Sequence, residues 1–184
     1  MSQGAKPAWQ IRLATRADLP AIQALMSVSI RELLGACLSP PQVEASFEIM
    51  GLDTALIDDG SYFAVEHAGA LVGCGGWSRR ATLFGGDHSD GRDGRLLDPA
   101  AEPARIRAMY THPACARRGV GRLVLAHCED AAIGAGFRKL SLVATLAGEP
   151  LYRAAGYAVV DRINVPTSRG IAVPCANMRK ELPD

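Results

Sequence analysis

The chain has 184 residues, 48% hydrophobic and 21% charged, with a net charge of +1; that is one domain with a sizeable core and a globular balance, not a disordered one. A charge this near zero excludes the basic field of a nucleic-acid binder, and an aromatic content of 5% excludes a base-stacking surface. The five cysteines (Cys37, Cys74, Cys115, Cys128 and Cys175) are odd in number and form no CxxC pair, so buried reduced thiols are expected, with neither a disulfide framework nor a metal site.

The opening MSQGAKPAWQIRL has no apolar leader core. No window approaches the roughly eighteen apolar residues of a membrane span. A cytoplasmic protein with no membrane partner is expected. WQIRL alternates like a strand, and Thr15-Arg16-Ala17-Asp18 is a capping signal for the helix in which Ile22, Leu25, Met26, Ile30 and Leu33 recur, ending at Gly35. Ser39-Pro40-Pro41-Gln42 opens a shorter helix reaching about Met50. SYFAVEH and ALVGCGGWS read as an antiparallel hairpin joined by a tight Ala-Gly turn. Residues 79–104 are polar, Gly-rich and without period, a loop long enough to be functional or mobile. RIRAMYTH is a strand closed by Pro113, and Val120, Leu123, Val124, Cys128, Ala131 and Ala132 give the next helix its stripe. KLSLVAT (strand), GEPLYRAAG (short helix), YAVVDRINV and GIAVPCANMRKEL (two closing strands) complete one mixed α/β layer structure, without repeats or an interdomain linker.

The segment THPACARRGVGRLVL carries the clearest chemistry. A helix start offers unpartnered N–H groups and a partial positive charge, and glycine lets an anion approach them closely. Gly119 and Gly121 bracket Val120 there, with Arg117, Arg118 and Arg122 as planar phosphate donors. The bland reading is a tight strand-to-helix turn with solvated arginines. A Walker loop is absent, and G-x-G-x-x-G is not completed. The glycines of GALVGCGGW are expected to serve close packing inside the hairpin.

THPACARRGVGRLVL after a strand, followed about thirty residues later by LYRAAGY, resembles the GNAT superfamily of acetyl-CoA-dependent N-acetyltransferases. The resemblance runs from IRLATRADLPAI to the last strand. It implies a single-domain, 1–184, GNAT-like acyl-CoA N-acyltransferase fold of the α/β (α+β) class, with a mixed, mostly antiparallel sheet flanked by helices. It also implies acetyl-CoA as co-substrate. Arg117, Arg118, Gly119, Val120, Gly121 and Arg122 would hold the pyrophosphate, and the main chain of Met109, Tyr110 and Thr111 would pair with the pantetheine arm. Ala116 stands where the family prefers Gln or Arg. Thr145 stands where Asn is common, which puts its own coenzyme contact in question.

By the same resemblance Tyr152 protonates the departing thiolate, and amides near Met109 stabilise the oxyanion. The bland role for Tyr152 is a core tyrosine; Tyr157 is expected to pack. No general base is named. Glu32, Asp87, His88, Glu102 and His112 are candidates, each with an ordinary structural role beside it, and a water chain would also serve. Trp77, Ser78, Arg79 and Arg80, with Arg31, are placed where they could hold an acidic or polar acceptor. The expected function is acetyl transfer to an amino group of a small molecule or peptide. The alternative is a non-catalytic sensor binding acyl-CoA in the same pocket. Oligomeric state is left open, a homodimer being one option.

Overall fold

The computed structural model describes residues 9–182; the leader reading falls largely on residues 1–8, outside them. Seven strands form one sheet in the order β1-β2-β3-β4-β5-β7-β6. They are β1 (Gln10–Leu13), β2 (Tyr62–His67), β3 (Ala70–Ser78), β4 (Ala104–Thr111), β5 (Lys139–Thr145), β6 (Ala158–Pro166) and β7 (Ala172–Glu181). Every neighbouring pair is antiparallel except β4 and β5, which run parallel. Helices α1 (Leu19–Ser29) and α2 (Pro40–Ile49) cover one face, whereas α4 (Val120–Gly134) and α5 (Glu149–Ala154) cover the other. Among the described residues, no helix is long and apolar enough to cross a membrane.

Both capping signals act as the sequence suggests. The Thr15 amide donates to Asp18 (2.7 Å) and the Ser39 amide to Gln42 (3.1 Å), each opening its helix. The first box opens a 3-10 turn, Arg16–Asp18, that runs on into α1. At the far end α1 passes into a π turn, Ile30–Leu34. The added residue rotates the apolar stripe, so Leu34 rather than Leu33 enters the core. A short helix, α3 (Thr54–Asp58), was not legible in the sequence; it buries Leu56.

The β2–β3 turn has Ala68 at φ 50° and Gly69 at φ 79°, the double left-handed geometry that matches strand twist. Beyond it the glycines of β3 clear a path for side chains of α4 and of the neighbouring strand β4. A Cβ on Gly73 would stand 2.2 Å from Val120 Cγ1, and one on Gly75 would stand 2.2 Å from Met109 Sδ. Close packing is therefore their role. The cysteines are all free: four are buried as expected, and Cys37 is exposed because it follows the π turn on the helix exit.

Two features of β4 set the geometry at the centre of the sheet. Gly75 of β3 stands opposite two residues, Ala108 and Met109, so β4 carries a β-bulge. Ala108 holds φ 51° there, and the Tyr62 hydroxyl donates to its carbonyl (2.7 Å), satisfying a group that the bulge takes out of the ladder. In addition, β4 pairs with β5 only at Ala104–Leu140 and Arg105–Ser141. Past those pairs the two strands diverge and leave a slit between them.

Candidate active site

A cavity of about 110 Å³ occupies the slit. Met109 and Tyr110 of β4 line it from one side; Thr145 at the end of β5 and Tyr152 on α5 line it from the other. Thr111 and Gly121 lie just outside: a Cβ on Gly121 would be 2.9 Å from Leu151 Cδ2 and 3.7 Å from Thr111 Oγ1. The strand end, the helix start and α5 thus meet at one point.

At that helix start Gly119 has φ 96°, with open space where a Cβ would be, and Arg117 has φ 59°. The first intrahelical bond runs from the Leu123 amide to Gly119 O (3.0 Å). The amides of Val120, Gly121 and Arg122 are left for outside acceptors. Arg117, Arg118 and Arg122 are exposed and take part in no ion pair among the described residues; Arg118 lies over the Trp9 ring, 5.5 Å from its centroid. An uncrowded glycine, free amides and unneutralised guanidinium groups fit a diphosphate. Val120 and Tyr110 can contribute only main chain, because their side chains are buried in the two core layers.

Tyr152 is 7% exposed, and its ring packs edge-on against Tyr157 at 5.9 Å. Burial pushes its phenol above the ordinary value of 10, so it is protonated throughout the neutral range. Glu149, one turn earlier on α5, is held at about 2 by hydrogen bonds from Arg162 and Arg153, which ties α5 to β6. The Thr145 hydroxyl accepts from the Gly148 amide (3.1 Å). It thereby shapes the turn into α5, and its O–H faces no acceptor among the hydrogen bonds of the described residues.

The base candidates are dispersed. Glu32 is exposed on the π turn. Asp87 accepts from the Thr54 amide (3.1 Å) and pairs with Arg92. His88 sits 2.9 Å from the Glu48 carbonyl, and Glu102 is held at about 2 by Arg95. His112 accepts from the Ala114 amide (3.2 Å), capping the turn after β4. Among the described residues, none lining the slit is a carboxylate.

The acceptor-side expectation needs correction. Trp77 is buried against Phe137 (centroids 6.1 Å apart), and Ser78 is buried beside it. Arg80 is held by Asp59 (2.7 Å), Arg79 lies over Trp77, and Arg31 pairs with Glu44. None of these residues lines the slit. Strand alternation sends Trp77 into the core, and local carboxylates hold Arg80 and Arg31.

The loop after β3 spans 79–103, since Ala104 already belongs to β4. It is packed down onto the site. The Asp87 amide donates to Leu52 O (2.7 Å), Gly86 lies against Gly51, and Leu97 is buried. Sequence reasoning missed its main anchor. Arg107 of β4, its side chain 3% exposed, pairs with the wholly buried Asp53 (2.6 Å) and donates to Gly85 O (2.6 Å). Arg92 pairs with the other Asp53 oxygen (2.6 Å). An arginine in the middle of the central strand, where burial is expected, was the available signal. Removing one partner strands a buried charge, so Asp53→Ala is expected to cost about 3–5 kcal/mol, read from the urea midpoint.

The Acetyltransferase (GNAT) family profile matches residues 27–157. No curated protein matches the sequence. Among solved structures, a GCN5-related N-acetyltransferase from Rhodopseudomonas palustris is similar over 97% of both chains, at 22% identity and TM-score 0.68. YncA of Salmonella typhimurium, solved with its cofactor acetyl-CoA, is 18% identical at TM-score 0.64, covering 96% of this chain and 95% of its own. The ribosomal-protein-alanine N-acetyltransferase of Brucella melitensis is 19% identical at TM-score 0.63, covering 94% of this chain and 99% of its own. With the profile spanning most of the sequence and the fold shared end to end, the chain belongs to the GNAT family of acetyltransferases.

Proposed function

We propose that the protein is an acetyl-CoA-dependent N-acetyltransferase acting on a primary amine. The observation that carries this reading is that three parts come together at and beside the β4–β5 slit: strand amides and a buried phenol on α5 along it, and the free amides of the α4 start just outside, against Leu151. The diphosphate of acetyl-CoA lies on the amides and arginines of 117–122, and the pantetheine arm pairs with the main chain of 109–111 in the manner of an added strand. Thr145 stays with its own turn. That arrangement brings the thioester into the slit beside Tyr152.

The amine lone pair attacks the thioester carbonyl, and the amides of the bulged strand near Met109 stabilise the oxyanion. A C–N bond forms as the C–S bond breaks. The Tyr152 phenol gives its proton to the leaving thiolate. The surplus proton on the amine nitrogen goes to water, in keeping with a slit wall that has no carboxylate among the described residues. A panel of amines assayed for thiol release from acetyl-CoA tests the reading. Release with at least one amine, together with an acetylated product by mass, is expected. A thermal shift with acetyl-CoA but no release from any amine would favour the non-catalytic acyl-CoA sensor.

A further inference from the structure

The slit does not end at the chemistry. It opens into an outer groove of about 870 Å³ between the end of α2, the 79–103 loop and the β6–β7 turn. Ile49, Leu83, Phe84, Gly85 and Val165 line both spaces. Leu83 and Phe84 are consecutive, 46% and 40% exposed, and lie at the junction. Two large apolar neighbours on a surface loop need a reason, because water contact gains them nothing.

Their backbone is not loose. Thr82 on one side donates its hydroxyl to Asp93 O (2.8 Å); Gly85 on the other accepts from Arg107 (2.6 Å). The loop is tied on both flanks and displays the pair between them. The charges nearby have one bias. Glu48, Asp90 and Asp93 line the groove, Asp93 facing Arg95 (3.9 Å) and Glu48 accepting only from the neutral amide and hydroxyl of Ser168, while Arg92 pairs with Asp53 (2.6 Å) and Asp87 (3.3 Å), leaving Arg169 as the only unpaired guanidinium among the described lining residues. Arg107, which reaches the slit, shares Asp53 with Arg92, so that Asp53 and Asp87 together balance the two guanidinium groups.

We infer that the acceptor is a cationic amine bearing an apolar aliphatic or aromatic substituent, seated on Leu83 and Phe84 with its nitrogen directed into the slit. This rests on the acetyl-transfer reading and adds the substrate class. The continuity of groove and slit commits the apolar pair to the acceptor, because a group held at the junction has its amine next to the thioester. The acidic rim draws in the protonated form, which gives one proton to water before its lone pair attacks, and an acidic acceptor meets Glu48 and Asp90 with only Arg169 in compensation.

Two acceptor sources share this chemistry, a free small amine and the N-terminus of a peptide. The test uses leucinamide and 2-phenylethylamine on one arm, and a pentapeptide beginning with Leu on the other. Glycinamide, glutamate and a pentapeptide beginning with Glu are the comparisons. Expected is a kcat/KM higher by about tenfold or more for the apolar members of whichever arm reacts. Leu83→Ser with Phe84→Ser should erase that preference through the acceptor KM. The acetyl-CoA thermal shift should persist, since the 117–122 turn and the main chain of 109–111 are untouched, which separates lost acceptor binding from misfolding. Equal use of glycinamide or glutamate, or a preference that survives the double substitution, would overturn the inference while leaving acetyl transfer standing. If no amine on either arm releases thiol although acetyl-CoA still binds, the transfer reading falls and this inference falls with it.

Discussion

Replacing Gly121 with Glu is expected to abolish the rise in thermal midpoint that acetyl-CoA gives the unaltered protein. Ligand held at a hundredfold excess over its Kd stabilises by about 2.7 kcal/mol. For a chain of this size that is a rise of about 5–10 °C. The new side chain would start between Leu151 Cδ2 (2.9 Å) and Thr111 Oγ1 (3.7 Å). Its near contact is the end of a flexible leucine, which can turn aside, so the protein itself should fold. What it cannot accommodate is a second anion: the carboxylate would take the same amides that the diphosphate needs and repel it. Replacing Arg117 and Arg122 together with Ala should reduce the shift without removing it, because the amides remain. A Gly121→Glu protein that is stabilised as fully as the parent would move the diphosphate elsewhere.

The second large effect is on rate. Tyr152→Phe should lower kcat by about 10²–10⁴ and leave the acetyl-CoA thermal shift intact, since the ring packing against Tyr157 is kept. The sign of the pH dependence comes from burial. Desolvation raises the phenol above its ordinary value of 10, and an acid catalyst works only while protonated. Any fall in kcat due to Tyr152 must therefore begin above pH 10, and the substitution should remove that alkaline limb. If turnover by the Phe protein matched that of the parent, Tyr152 would be packing alone.

Much of this architecture was legible because it is local. Capping boxes at Thr15 and Ser39, the positive-φ turn at Ala68-Gly69 and the stripe of α4 depend on neighbours within a few residues. The π turn shows the limit of that logic: periodicity counted in steps of 3.6 selected Leu33, and one inserted residue delivered Leu34. The bulge was hidden for a different reason. Glycine is the usual marker of a left-handed backbone, yet here an alanine occupies it, supported by a tyrosine hydroxyl from 46 residues away. Tyr152 and the 117–122 turn were named through their motifs, but the slit that Tyr152 lines is a property of two diverging strands, which no spacing encodes. The Asp53–Arg107 pair likewise spans two elements that only the finished sheet brings together. Trp77 to Arg80 lie away from the slit for separate reasons: Trp77 and Ser78 are buried, Arg79 lies over Trp77, and Arg80, read as available charge, is held by Asp59.

The partial ladder between β4 and β5 has an evolutionary consequence. Peptide N–H and C=O groups are identical at every position, so a cleft whose contacts come from them tolerates drift in the letters that line it, provided the strands keep their divergence. Selection then acts on geometry and spares composition. Two chains can come to share little more than one residue in five while their backbones still superpose, as this one and its Rhodopseudomonas counterpart do. Position 111 should accordingly accept many replacements, and the alanine that bends the strand at 108 very few.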